Sequence, residues 1–277
     1  MNNQIVELKN YRVGKGEPLT VIAGPCVIES EKLVLETASA LKRAAERLPV
    51  QLIFKSSYRK ANRTALSGFT GLDFPEALRI LRRVSTELEL PILTDVHNEL
   101  ETPIVGEVAD VLQIPAFLCR QTDLLLAAGR TGKVVNIKKG QFLAPEDMDK
   151  AAEKVASTGN SRILLTERGS SFGYRNLVVD MRGLTIMQRS GYPVVYDATH
   201  SVQIPGGLGT ASGGQPEFIV PLARAALATG AVSAVFLEVH PDPPNALSDA
   251  ASQLPLEQFP SVLEQLLKIY HTIENFE

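Results

Sequence analysis

Apolar residues along this chain gather into short, nearly unbroken runs, separated by longer stretches whose apolar positions recur at helical spacing. Eight runs read as strands: Leu19–Ala23, Gln51–Lys55, Pro91–Asp95, Val111–Ile114, Val134–Lys138, Arg162–Thr166, Pro193–Asp197 and Ala234–Glu238. They are apolar throughout, without an in/out alternation, as parallel strands covered on both faces are. Helices are predicted over Ser30–Leu48, Asp73–Leu90, Pro145–Ser157, Pro216–Thr229 and Leu256–Ile273. Ser30 and Asp73 stand as N-caps, Pro75 sits just inside its helix, and Gly159 and Gly230 follow helix ends.

Eight strand–helix repeats in 277 residues predict a closed (β/α)8 barrel occupying one domain, 1–277. The rival is an open doubly wound sheet, which gathers ligand groups at one switch point fed by two or three strands. Here nearly every strand ends in a chemically capable residue: Cys26, Lys55, Asp95, Gln113, Lys138, Arg168, Asp197 with His200, and Glu238. A ring of functional groups at all the strand ends is the barrel pattern. Within the extension 1–17, Gln4–Val6 and Tyr11–Val13 flank a polar turn and read as a hairpin closing the barrel floor.

Two loops exceed what a connection needs. Residues 56–72 follow the second strand and 201–215 the seventh. Glycines at 206, 207, 209, 213 and 214 suit a lid.

Composition narrows the class. Lys plus Arg is 28 against 31 Asp plus Glu, a net charge of −3, which argues against nucleic acid as a partner. Two cysteines, Cys26 and Cys119, make no disulfide scaffold, and Cys119 reads as packing. No apolar run reaches a membrane span and MNNQIVELKN has no signal core, so a soluble, cytoplasmic enzyme is expected.

Against that acidic balance, Lys55, Lys60, Arg63, Lys138 and Arg168 sit at or just after strand ends, and Arg120 follows the fourth strand. Cations converging on one rim need anions to offset their repulsion, so phosphorylated acids are the expected ligands. Asp95, Asp197 and Glu167 are candidate rim carboxylates, whereas Asp73, Glu146 and Asp147 read as helix-start charges. Barrel closure makes strands seven, eight and one neighbours, which brings Cys26, His200 and Glu238 together, with Asp249 near. One S, one N and two O donors suit Zn, Fe, Co or Mn better than Mg or Ca. The spacing matches no compact metal motif. Taken singly, Cys26 also fits as a small buried residue and His200 as an orienting histidine.

The strings GPCVIES (24–30), FKSSYRKANRT (54–64), TDVH (94–97), QIPAFLCRQTDL (113–124), NIKKGQF (136–142), LTERGSSFGYRNLVVDMR (165–182), DATHSVQ (197–203) and LEVHPDP (237–243) together resemble the 3-deoxy-D-manno-octulosonate 8-phosphate synthase family over nearly the whole chain. The resemblance implies a (β/α)8 barrel, commonly a homotetramer. It implies condensation of phosphoenolpyruvate with arabinose 5-phosphate, releasing phosphate, for lipopolysaccharide inner-core synthesis. By the same resemblance, Lys55, Lys60, Lys138 and Arg168 hold phosphoenolpyruvate, and Gln113 with the Pro115-Ala116 backbone lines that pocket. Asn62, Arg63 and Thr64 meet the sugar phosphate, with Thr where Ser is more usual. Asp95 meets the sugar hydroxyls, and Arg120 reaches a neighbouring subunit's site. Lys60, Lys138, Asp95 and His200 are the implied catalytic set.

Members that need no metal carry Asn where this chain has Cys26, and typically Cys-Asp-Gly where it has Ser248-Asp249-Ala250. The resemblance therefore implies a divalent ion held by Cys26, His200, Glu238 and Asp249. The related 3-deoxy-D-arabino-heptulosonate 7-phosphate synthases take erythrose 4-phosphate and typically read KPRTS after the second strand. This chain reads KANRT there, which favours the pentose. A non-catalytic barrel binding a phosphorylated metabolite is the alternative of a different class.

Overall fold

The computed structural model describes residues 4–62, 68–207 and 212–276. Its centre is a ring of eight parallel strands: β1 (Thr20–Gly24), β2 (Gln51–Lys55), β3 (Ile92–Asp95), β4 (Val111–Ile114), β5 (Val134–Lys138), β6 (Ile163–Glu167), β7 (Val194–Asp197) and β8 (Val232–His240). Each pairs with its sequence neighbour, β8 pairs with β1, and β7 with β8, so the ring closes and an open sheet is excluded. Leu254–Pro255 adds a short strand outside the ring on the far end of β8. The predicted strands agree to within two residues.

Eight helices pack around the ring among the described residues: α1 (Glu31–Ala45), α2 (Phe74–Glu87), α3 (Glu101–Gly106), α4 (Thr122–Arg130), α5 (Met148–Ala156), α6 (Met181–Gln188), α7 (Ile219–Leu227) and α8 (Phe259–Glu274). Ser30 caps α1 as predicted, its Oγ accepting from the Leu33 amide at 3.3 Å. Asp73 precedes α2 but makes no side-chain cap bond; Pro75 supplies the start signal instead. Helices α3, α4 and α6 were not predicted. Two hairpins inside loops, Ser170–Phe172 with Asn176–Val178 and Gln203–Ile204 with Gly213–Gly214, are also additions.

The strands are less uniform than they read. Outward positions such as Leu52, Phe54, Val135 and Ile137 pack under the helices. Inward positions change character along each strand. At the N-terminal end Ile22, Ile53, Leu93, Val111, Val134, Leu164, Val195 and Ala234 fill the barrel. The N-terminal hairpin, Val6–Leu8 paired with Tyr11–Val13, inserts Val6, Leu8 and Val13 into that layer. Each such buried side chain contributes about 1.5–3 kcal/mol. The Gln51 amide ties the hairpin to β2, accepting from the Arg12 amide at 2.8 Å and donating to the Arg12 carbonyl at 2.8 Å. One or two steps of two further along, the inward residues are Lys55, Asp95, Gln113, Lys138, Asp197 and Glu238. The same period thus builds an apolar floor and a charged mouth.

Candidate active site

The mouth encloses a cavity of about 780 Å³ lined by Lys55, Lys60, Asn62, Asp95, Gln113, Pro115, Ala116, Lys138, Arg168, His200, Glu238 and Asp249. The expected residues therefore converge at the C-terminal face, where barrel loops carry chemistry. Arg63 and Thr64 lie outside the described residues. Arg120 is exposed and is not among the residues lining the cavity. Glu167 does not join the cavity either. Period two turns it outward from β6, where it accepts from the Gly169 amide at 2.6 Å and faces Lys139 at 3.5 Å. Cys119 is fully buried beside Gly140, as packing requires.

Two close approaches shape the rim. A side chain at Gly24 would meet the Lys55 carbonyl at 2.0 Å, so only glycine lets β1 end against β2 and turn Cys26 inward. A side chain at Gly214 would meet the Ala251 carbonyl at 2.4 Å, so glycine seats the loop after β7 on the loop after β8.

On one side of the mouth, charges interlock. Lys55 Nζ donates to Glu238 Oε1 at 2.6 Å and to the Cys26 carbonyl at 2.8 Å. Lys60 Nζ lies 2.5 Å from Asp249 Oδ2 and 3.0 Å from Cys26 Sγ. Lys138 Nζ donates to Asp197 Oδ2 and sits 3.4 Å above the Phe236 ring centre. His200 Nδ1 lies 2.7 Å from the same Asp197 oxygen. A carboxylate only accepts, so Nδ1 carries the hydrogen and Nε2 faces the cavity side, 3.5 Å from Glu238 Oε1 and 3.9 Å from Asp249 Oδ2.

The electrostatics follow from this crowding. Burial, the largest influence, pushes the Lys138 ammonium down to about 8, with Arg168 and Lys55 adding to it and Asp197 opposing. Burial also lowers Arg168, whose Nη1 has no hydrogen-bond partner; its Nη2 donates to Gln203 at 3.0 Å. Burial would raise Asp197 and Asp249, but His200 with Lys138, and Lys60 with His200, hold them well below the usual carboxylate range. The Cys26 thiol is pushed up by burial and by Asp249 and Glu238.

On the other side the groups are mostly neutral. Asp95 accepts from the Ser57 hydroxyl and from Gln113 Nε2. Burial opposes its charge, yet Lys55, His97 and these donors hold it at about 2.

The donor set fits a metal. Cys26, Glu238 and Asp249 each place a ligand atom within 4.8 Å of the others, and His200 Nε2 borders the same space. Ligand bonds of about 2.0–2.3 Å put tetrahedral neighbours roughly 3.3–3.8 Å apart. The Cys26–Asp249 and His200–Glu238 separations, 3.1 and 3.5 Å, are close to that spacing. Glu238 Oε2 is buried without a hydrogen-bond partner, and an ammonium, Lys60, already sits among these donors. A cation is what the cluster attracts.

Sequence reading missed Ser57, Asn136, Thr166, Gln203 and Phe236. Asn136, Thr166 and Phe236 share the inward parity of Lys138, Arg168 and Glu238, and that parity was the available signal; Ser57 and Gln203 lie beyond the barrel strands, where it does not reach.

The profile of the DAHP synthetase I family matches residues 3–274. The chain is 57% identical over 264 residues to the 2-dehydro-3-deoxyphosphooctonate aldolase of Syntrophotalea carbinolica, covering 95% of each chain. It is 56% identical over 266 residues to that of Magnetococcus marinus, covering 96% of this chain and 92% of the relative. With that of Protochlamydia amoebophila it is 53% identical over 269 residues, 97% and 98% of the two chains.

Proposed function

The chain belongs to the DAHP synthetase I family, and we propose that within it this enzyme condenses phosphoenolpyruvate with arabinose 5-phosphate and water, giving 3-deoxy-D-manno-octulosonate 8-phosphate and phosphate. The relatives' common name, an aldolase of 2-dehydro-3-deoxyphosphooctonate, describes that product and supports the pentose over the tetrose. The observation that carries the reading is the convergence of Lys55, Lys60, Lys138 and Arg168 in one buried mouth opposite Asp95. Four cations gathered at the cost of desolvation suit a substrate that carries both carboxylate and phosphate.

In this reading Lys138 and Arg168 neutralise the phosphate, and Lys55 with Lys60 holds the carboxylate end. Gln113 and the Pro115-Ala116 segment wall the enol. Asp95 orients the pentose hydroxyls, and Asn62, Arg63 and Thr64 take its phosphate. C3 of the enol attacks the aldehyde carbon, leaving positive character at C2 and negative charge on the aldehyde oxygen. Water adds at C2, and phosphate leaves with cleavage of the C2–O bond. Most of the acceleration is positioning and preorganised charge.

Cys26, His200, Glu238 and Asp249 would hold a divalent ion, Zn, Fe, Mn or Co by donor type. Such an ion supplies polarisation of an aldehyde oxygen or acidification of a water. Were Glu238 and Asp249 to hold the ion, Lys55 and Lys60, now paired with them, would be free to meet substrate anions. Asp197 keeps His200 Nε2 turned toward the ion's place. The further expectations belong to the same proposal: a cytoplasmic homotetramer in which Arg120, exposed at the rim beside the 57% exposed Phe117, serves a neighbour's site. None of the described helices is long and apolar enough to cross a membrane.

The test is phosphate release from phosphoenolpyruvate with arabinose 5-phosphate, run beside erythrose 4-phosphate. Turnover with the pentose is expected. Turnover with the tetrose alone would replace this reading by heptulosonate synthesis, and none with either would favour a binding protein.

A further inference from the structure

Asp95 stands at the end of a hydrogen-bonded chain that crosses four barrel strands. Thr166 on β6 donates its hydroxyl to Asn136 Oδ1 on β5 at 2.6 Å. Asn136 Nδ2 donates to Gln113 Oε1 on β4 at 2.9 Å. Gln113 Nε2 donates to Asp95 Oδ1 on β3. Asn136 and Thr166 are fully buried and do not line the cavity, and the side-chain hydrogen bonds they make run to each other and to Gln113. Their place in the reaction is therefore indirect.

The direction of this chain is dictated from its end. An ionised carboxylate only accepts, so Gln113 must turn its NH2 toward Asp95 and its carbonyl toward Asn136. Asn136 must then present its own NH2, which leaves its carbonyl for the Thr166 hydroxyl. Each amide has one satisfactory orientation, because Asn136 and Thr166 are fully buried and bond only along the chain. Without the Asn136 donor, the Gln113 carbonyl loses its partner and the amide is held at one end alone, by its bond to Asp95. Rotating it by 180° would set carbonyl against carboxylate.

We propose that Asn136, backed by Thr166, is a positioning residue for pentose recognition, holding the Gln113 amide so that its NH2 fixes the Asp95 carboxylate. The assignment rests on the reading that Asp95 meets the pentose hydroxyls. It also explains polar residues in the middle of strands whose neighbours are Val, Ile and Leu. Three buried polar groups inside the barrel are tolerated because all three are paired.

The test compares Asn136→Leu, Thr166→Val and Thr166→Ser in the full-length enzyme, by steady-state kinetics and by the side-chain amide resonances of 15N-labelled Gln113. Asn136→Leu keeps volume and removes donor and acceptor together. It should raise the KM for arabinose 5-phosphate about tenfold, the size of one lost hydrogen bond, and that for phosphoenolpyruvate by less, through the wall that Gln113 gives its pocket. Thr166→Val should act in the same sense but more weakly, and Thr166→Ser should restore wild-type values. Hydrogen exchange of the Gln113 amide should quicken in the first two variants alone. Unchanged exchange in both would overturn the positioning role, and Thr166→Val answers if Asn136→Leu does not fold. Faster exchange with an unchanged pentose KM would overturn the proposal at its premise, the sugar-facing role of Asp95.

Discussion

The floor and the mouth of this barrel are made by the same eight strands, yet they obey opposite rules. At the floor, Ile53, Leu93, Val195 and their neighbours meet Val6, Leu8 and Val13 of the hairpin in an apolar layer. Two residues further along three of those strands stand Lys55 and Asp197, buried and charged, and Asp95, charged and half-buried. The floor releases free energy by excluding water. The mouth spends some of it, because cations are desolvated there beside other cations. Stability and chemistry are thus separated along the barrel axis, and a change at either end should leave the other largely intact.

The largest break in that comparison should come from the Cys26 cluster. Complete chelation, or Cys26→Ser, is expected to lower turnover on the order of 10³-fold, the worth of several kcal/mol of charge stabilisation. Metal content by mass spectrometry should fall in parallel, while the unfolding midpoint of the floor's cooperative transition should move little. Full turnover of the variant under chelation would remove Cys26 from the ligand set.

The converse break is Leu8→Ala. It should cost about 2–4 kcal/mol in denaturant unfolding by leaving a cavity among the floor residues. Its kcat/KM should stay within about twofold of wild type, and a tenfold loss would tie the hairpin to the chemistry.

The pH dependence sharpens the contrast further. Lys138 titrates near 8 in the folded chain, well below an ordinary lysine. As pH rises through about 8 the mouth loses this cation, so kcat/KM for phosphoenolpyruvate should fall. Between that value and the ordinary lysine range, the unfolded chain binds a proton that the folded chain does not. The contribution of this group to stability therefore rises with pH over the same window. Activity and stability should move in opposite directions, and Lys138→Met should abolish the alkaline limb. A limb that persists in the variant would assign it to another group.

The smallest effect belongs to the outer surface. Arg182 pairs with Asp180 at 2.7 Å in full solvent contact. Arg182→Ala should shift stability by no more than about 0.5 kcal/mol and leave turnover unchanged. A larger loss would make this exposed pair at the start of α6 part of the site.

Most of the barrel was legible because a parallel strand buried on both faces leaves an apolar run, and each of the eight did. Three helices were not. Glu101–Gly106 is six residues with Pro103 inside, too short to show a period. Thr122–Arg130 carries three consecutive leucines that blur its polar face, and Met181–Gln188 spans only eight residues. The site was legible where function demands a charge, as at Lys55, Lys138 and Glu238. It was illegible where function demands a neutral partner. Asn136 and Thr166 lie inside VVNIK and RILLT, and reading these as uniformly apolar hid the inward row that carries them. Glu167 was placed at the rim by sequence distance alone, whereas the pleat turns it outward.

Arg168 tests the separation most directly, for it is buried, lowered by burial and has one nitrogen without a partner. Arg168→Met should cut kcat/KM for phosphoenolpyruvate by about 10²–10³-fold. Measured on the same protein, its unfolding free energy should stay unchanged or rise, since an unfavourably buried charge is removed. A variant that keeps activity within tenfold while losing more than about 2 kcal/mol of stability would contradict the account, making the mouth's charges part of what holds the barrel together.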